Sequence, residues 1–228
     1  MRTHDVTARL AELLLGACCP GCGAPGLGAC AACAAALRSV APFEVGGLAQ
    51  GLPPVIAAGS YADTLRAVLL AAKERHALGL LPLLGSRVAA AVARLVLDSG
   101  KVTSLVLVPV PSAPAQVAAR GVDLTASLAR AAAVRLRSAG LGVRLHHGLA
   151  LVRSPEDQAG LDRNQRLANL AGAFRAVGTY PSGPVVVVDD IVTTGATLAE
   201  AVRACQLPGR TVIGGAVVAA TMRGGGAR

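Results

Sequence analysis

Apolar positions cluster in two kinds of stretch along this chain, and their alternation predicts an α/β protein. Val55 to Tyr61, Ser104 to Pro111, Val185 to Val188 and Thr211 to Ala220 are short, nearly continuous apolar runs, the pattern of strands buried on both faces. Leu149 to Val152 reads as a further short strand. Between these runs the pattern becomes helical: Thr64 to Glu74 with Asp63 as its cap, about Leu80 to Leu97 with Pro82 tolerated in the first turn, Gly121 to Ser138, and Ala196 to Gln206. Arg163 to Leu170 reads as a short helical or hairpin segment. Strands separated by helices of these lengths need crossover connections, so the expected fold is a mainly parallel sheet flanked by helices. A Gly/Pro-rich connector, Ala41 to Pro54, puts a boundary near Val40 and divides the chain into an appendage (1–40) and a main domain (41–228).

Composition agrees with that division. The 228 residues, with 53% apolar and 15% charged side chains, suit one ordinary domain with a small addition and exclude wholesale disorder. The longest apolar stretch, Ala77 to Leu97, is interrupted by Pro82, Arg87 and Arg94 and is expected not to insert stably in a membrane. Leu13 to Cys18 has the look of a lipoprotein signal, but Arg9 and Glu12 shorten its apolar core, so residues 5–16 read as a short amphipathic helix. With no other targeting signal, the expected compartment is the cytoplasm.

The net charge is +9, which invites phosphate-bearing partners, nucleic acid among them; the Ala/Gly/Arg-rich composition accounts for the same excess. Ten cations against four acids between Lys101 and Arg175 could form a basic face or an ordinary solvated surface. Four aromatic residues are too few for a dedicated base-stacking platform.

Five of the six cysteines lie between positions 18 and 33, and four of them form Cys19-Pro-Gly-Cys22 and Cys30-Ala-Ala-Cys33. Two C-x-x-C turns supply the tetrahedral thiolate set that zinc prefers, and the glycines around them allow tight turns. A structural zinc at Cys19, Cys22, Cys30 and Cys33 is favoured over disulfides or free thiols, with Cys18 as a spare that could compete for a position. Cys205 falls in a helix and reads as a core residue. His146-His147 has no partner at metal spacing and reads as surface.

The most informative stretch is Val185-Val-Val-Val-Asp189-Asp190-Ile-Val-Thr193-Thr194-Gly195-Ala196-Thr197-Leu. Four buried valines end in two carboxylates, followed by a loop of hydroxyl residues and glycine that opens a helix. Ligands of parallel α/β sheets bind beyond the carboxyl ends of the strands, and free N–H groups at a helix start favour an anion. Thr193, Thr194 and Thr197 add hydroxyls, and Gly195 lets the backbone approach closely. Phosphate on one side and a diol facing Asp189 and Asp190 on the other describe a phosphorylated sugar. A plain sheet-edge turn with a well-capped helix is the competing reading.

This stretch resembles the phosphoribosyl pyrophosphate loop of the type I phosphoribosyltransferases. Together with the four cysteines it makes nearly the whole chain resemble the ComF family, through Gly59-Ser-Tyr61, Leu65-Arg66, Lys73, Val108-Pro-Val-Pro111, Arg120-Gly121, Leu151-Val-Arg153, Gln158, Arg166, Asn169 and Gly172-Ala-Phe174. Members often continue Arg-Gly with an aromatic, Asn and Gln, where this chain has Val122-Asp123-Leu124.

The resemblance implies a type I phosphoribosyltransferase-like domain that binds phosphoribosyl pyrophosphate with magnesium. It implies that Asp189 and Asp190 hold the ribose hydroxyls, that Thr193, Thr194, Gly195, Ala196 and Thr197 hold the 5′-phosphate, and that the loop after Val108-Pro-Val-Pro111 faces the pyrophosphate. Lys73 and Arg120 are candidate cations for that group, or else solvated helix residues. Members related to competence proteins help single-stranded DNA enter the cytoplasm, so DNA or a DNA-uptake helicase is an alternative partner, with the pocket then regulatory or vestigial. Thr193 stands where purine transferases place a carboxylate, and a threonine cannot act as a general base near neutral pH. This weakens purine salvage specifically and leaves the acceptor open.

Overall fold

The computed structural model describes residues 17–100, 102–153 and 170–221. The expected helix at 5–16 lies outside them, as do Gln158, Arg166, Asn169 and all of the segment from Arg163 to Leu170 except Leu170. In chain order the elements are α1 (Ala31–Ser39), β1 (Phe43–Glu44), β2 (Val55–Ala57), α2 (Asp63–Glu74), a 3-10 turn (Leu78–Leu80), α3 (Leu81–Asp98), β3 (Ser104–Pro109), α4 (Pro114–Arg120), α5 (Leu124–Ser138), β4 (Gly142–Leu145), β5 (Leu149–Leu151), β6 (Phe174–Ala176), β7 (Val185–Val192), α6 (Ala196–Cys205) and β8 (Val212–Ala220).

Six strands form one sheet in the order β1-β2-β8-β7-β3-β4. All of its neighbours are parallel except β1, which runs antiparallel to β2. The valine run explains why β7 sits near the centre. Val186 and Val188 face a core shared with α2, α3 and α5, whereas Val185 and Val187 face a second core shared with α6, β5 and β6. A strand alternates faces with period two, so only a strand covered on both sides can bury every residue of such a run. The α/β class and the mainly parallel sheet expected from the pattern are present.

On α3, Leu84, Val88, Val92 and Leu95 follow helical spacing and are fully buried toward the sheet. Its other side crosses α5 closely at Gly85, where a Cβ would lie 2.3 Å from that of Ala131. The helical stretch 78–98 is long and apolar enough to cross a membrane by length and composition; here half of its most apolar stretch is buried inside the protein. Arg87, which interrupts the apolar run in sequence, is itself buried. Its guanidinium donates to the carbonyls of Arg38, Val40 and Ala58, joining the end of α1 to the end of β2.

Several expectations need correction. Asp63 does not cap α2: it is the first helical residue, with φ +43, while Ala62 occupies the cap position without a side-chain bond. The amide of Tyr61 is drawn to the carbonyl of Ala220, and this sets where the turn into α2 falls. The single helix expected over Gly121 to Ser138 begins at Leu124, with Asp123 accepting from the amide of Ala126 at 3.1 Å. His146 is half-buried rather than fully exposed. Its ring packs edge-on against Tyr180 at 4.3 Å, and burial lowers its pKa; His147 is exposed.

Candidate functional site

The carboxyl ends of β3 and β7 open onto a cleft of about 460 Å³. Period-two alternation sends the paired aspartates of β7 to opposite faces of the sheet. Asp190 follows Val188 and meets Lys73 from α2, with Nζ 2.6 Å from Oδ2. Asp189 follows Val187 toward the start of α6 and is buried. Local amides hold both carboxylates, for Asp190 N–H donates to Asp189 Oδ1 at 2.8 Å and Ile191 N–H donates to Asp190 Oδ1 at 2.7 Å. Burial first, and then the charge of Asp190, pushes the Asp189 carboxyl well above its ordinary value, only partly opposed by the Asp190 amide and Lys73.

The strand does not stop at Val188 as the sequence pattern suggests. Pairing with β8 continues through Asp189, Ile191 and Val192, so the aspartates belong to the strand and the turn begins at Thr193. Residues Thr193 to Thr197 then wrap a small hollow of about 20 Å³ that also borders Asp189, room for one small group. Gly195 makes the turn with φ +81 and lies under the connector, where a Cβ would meet Leu52 Cδ1 at 3.1 Å and Leu48 Cβ at 3.3 Å. Thr194 is buried, its hydroxyl accepting from Ala196 N–H at 3.4 Å, whereas Thr193 is exposed. Ala196 is buried at the first position of α6.

Lys73, Arg120, Asp189, Asp190 and Thr197 therefore line one cleft. Thr193, Thr194, Gly195 and Ala196 surround the adjoining hollow. The loop after Val108-Pro-Val-Pro111 was expected at the site, but the polar residues that follow it were not singled out. Ser112, Gln116 and Thr125 also line the cleft, and Ser112 is tied to Asp123 through both its hydroxyl (2.9 Å) and its amide (3.2 Å). Asp123 caps α5, and its place just ahead of that helical pattern was the one available signal. On the far side the cleft is apolar, with Leu151, Leu170 and Phe174. Phe174 belongs to β6, which Glu200 and Arg203 of α6 brace: Glu200 accepts from Phe174 N–H and Arg203 donates to its carbonyl.

The cysteines form a separate centre. The sulfurs of Cys19, Cys22, Cys30 and Cys33 all lie within 4.8 Å of one another, and those of Cys22 and Cys30 are 3.6 Å apart. Zinc–sulfur bonds of about 2.3 Å in a tetrahedron need sulfurs about 3.8 Å apart, so the set fits a four-coordinate zinc closed to substrate. All six cysteines are free thiols. Burial works to raise Cys19, but the amides of Cys30, Gly21 and Cys22 pull it down to about 6, toward the thiolate a metal requires, whereas the thiols beside them push Cys22 and Cys33 up. Cys18 is exposed, and Cys205 is buried in the core as expected.

The molecule is thus an α/β protein with a ligand-sized cleft at the carboxyl ends of a mostly parallel sheet and a four-cysteine cluster compatible with zinc near its amino end. No protein-family model matches the chain, and no curated protein matches it.

Proposed function

We propose that this is a ComF-like, type I phosphoribosyltransferase-like protein that binds phosphoribosyl pyrophosphate with magnesium and transfers its phosphoribosyl group to an acceptor. The observation that carries this reading is the division of labour around β7. A small hollow ringed by Thr193 to Thr197 adjoins a larger cleft that holds both carboxylates and two cations.

In this reading the amides and hydroxyls of Thr193 to Thr197 hold the 5′-phosphate, and Asp189 and Asp190 accept hydrogen bonds from the ribose hydroxyls. Lys73 and Arg120 face the pyrophosphate and offset the negative charge that grows as it departs. Bound magnesium would add charge neutralisation on the pyrophosphate oxygens. Asp123 holds Ser112 and the loop beside that group. The reacting ribose carbon would lie between these groups and the apolar side of the cleft. Supporting context comes from the sequence resemblance and from the excess of 22 basic over 13 acidic residues, in keeping with phosphate-bearing ligands in the cytoplasm.

Isothermal titration with phosphoribosyl pyrophosphate and magnesium tests the reading. The wild type is expected to bind with a single saturable heat, and Asp190→Asn to bind at least about tenfold more weakly. No heat from the wild type ends the proposal. Pyrophosphate release measured across a panel of bases and amines then identifies the acceptor.

A further inference from the structure

A second cavity, of about 790 Å³, lies between α1, α3 from Pro82 to Ala93 and the last turn of α5, and shares no residue with the cleft at Asp189 and Asp190. Three arginines line it, Arg38, Arg87 and Arg135, and no acidic residue does. Arg87 is only 4% exposed, yet its partners are three backbone carbonyls. A guanidinium has five N–H groups, so two of them remain unused.

A basic residue in the last turn of a helix usually serves the open carbonyls at that end. Arg38 and Arg135 both occupy last turns, and at both helix ends other groups already take part of that task. At the end of α1, Arg87 takes the carbonyls of Arg38 and Val40, and the hydroxyl of Ser39 takes that of Ala36. At the end of α5, the amides of Ala139 and Leu141 take the Leu136 carbonyl and that of Gly140 takes Arg137. The hydroxyl of Ser138 takes Val134, and the Arg137 side chain goes to Val143. No described residue forms an ion pair with Arg38, Arg87 or Arg135. Three like charges in one cavity repel one another, and desolvation already lowers the pKa of the buried member.

We propose that this cavity binds a phosphorylated small molecule of about nucleotide size, its phosphate oxygens held by Arg38, Arg87 and Arg135. A phosphate ester or diphosphate carries the two or more negative charges that three cations call for, and its oxygens match the guanidinium fork. A lone carboxylate supplies one charge. The apolar part of the lining, Leu83, Ala90 and Ala93, covers the uncharged part of the molecule, and the volume lies within the range of small-molecule sites.

The test is an NMR titration that follows the arginine Nε–H resonances of the full chain with inorganic pyrophosphate and with ADP, both without magnesium. Saturable shifts of Arg38, Arg87 and Arg135 are expected. Arg38 and Arg135 are exposed, so their joint replacement by alanine leaves the core intact and is expected to weaken binding at least about tenfold. Arg94→Ala, which breaks only an exposed pair with Asp98, is expected to leave it unchanged. Asp190→Asn should also leave this response intact, which separates it from any response of the cleft at β7. Static resonances, a non-saturating drift of all arginines together, or equal weakening by Arg94→Ala would each overturn the proposal. A response confined to an acidic peptide would overturn it too, and would make this a protein-docking groove.

Discussion

Replacing Gly195 with alanine perturbs the proposed phosphate loop at its most constrained point. An L-residue held at φ +81 costs about 1–2 kcal/mol. The new Cβ would also stand 3.1 Å from Leu52 Cδ1 and 3.3 Å from Leu48 Cβ and Cδ2. The Leu52 methyl can swing aside, but Leu48 Cβ is one bond from the backbone, so the connector itself must give. Strain and contact together come to about 2–3 kcal/mol. At about 2–4 °C per kcal/mol for a chain of this length, Tm is expected to fall by about 4–12 °C. Gly209→Ala is the matched control: its φ is +77, but a Cβ there meets nothing within 4 Å. It should show the backbone strain alone, about 1–2 kcal/mol and about 2–8 °C. Thermal melts followed by circular dichroism measure both variants, and titration with phosphoribosyl pyrophosphate and magnesium measures their affinity. Gly195→Ala is expected to lose more stability than Gly209→Ala and at least about tenfold in affinity, since any relaxation moves the amides of Ala196 and Thr197. Equal melting losses would refute the contact argument, and unchanged affinity in Gly195→Ala would refute the phosphate cradle.

Two further perturbations probe the carboxylates and the cysteines. The folded-state pKa of Asp189 lies above its unfolded value of 3.8, so its contribution to stability is complete below that value and is lost as pH rises through the folded pKa. Asp189→Asn removes this loss while its side-chain oxygen still accepts from Asp190 N–H; urea melts should show the variant gaining on the wild type from about pH 4 to pH 8 while binding weakens, and a gap that shrinks with pH would contradict the burial argument. In the zinc-loaded protein Cys18 alone should react rapidly with a thiol reagent; chelation should add Cys19, Cys22, Cys30 and Cys33 and leave buried Cys205 silent, and identical thiol kinetics before and after chelation would dismiss the metal centre.

Much of the scaffold is legible in the chain. The valines of β7, the leucines and valines of β3 and the apolar spacing of α3 each carry a pattern that only one kind of burial satisfies. The cysteine pairs likewise announce their cluster, because a C-x-x-C turn is a local structure. Elements without such a pattern were missed: α4 buries none of its residues, β4 is a four-residue edge strand with Arg144 in it, and β6 has three residues. Local polarity misled at Asp189, where two charges look like the end of a strand. Hydrogen bonding to β8 carries the strand four residues further.

The sequence by itself determined the α/β class, the position of the hydroxyl-rich turn and the set of thiols, since each depends on residues within a few positions of one another. Tertiary structure alone decided that Lys73 meets Asp190 across 117 positions, that Ser112 leans on Asp123, and that Leu48 and Leu52 roof Gly195. It also decided that Arg87, a break in an apolar run when read along the chain, is the clamp between α1 and β2. The physical reason is the same each time: a polar side chain finds its partner only after the sheet has brought distant segments together, and no period in the chain records that meeting.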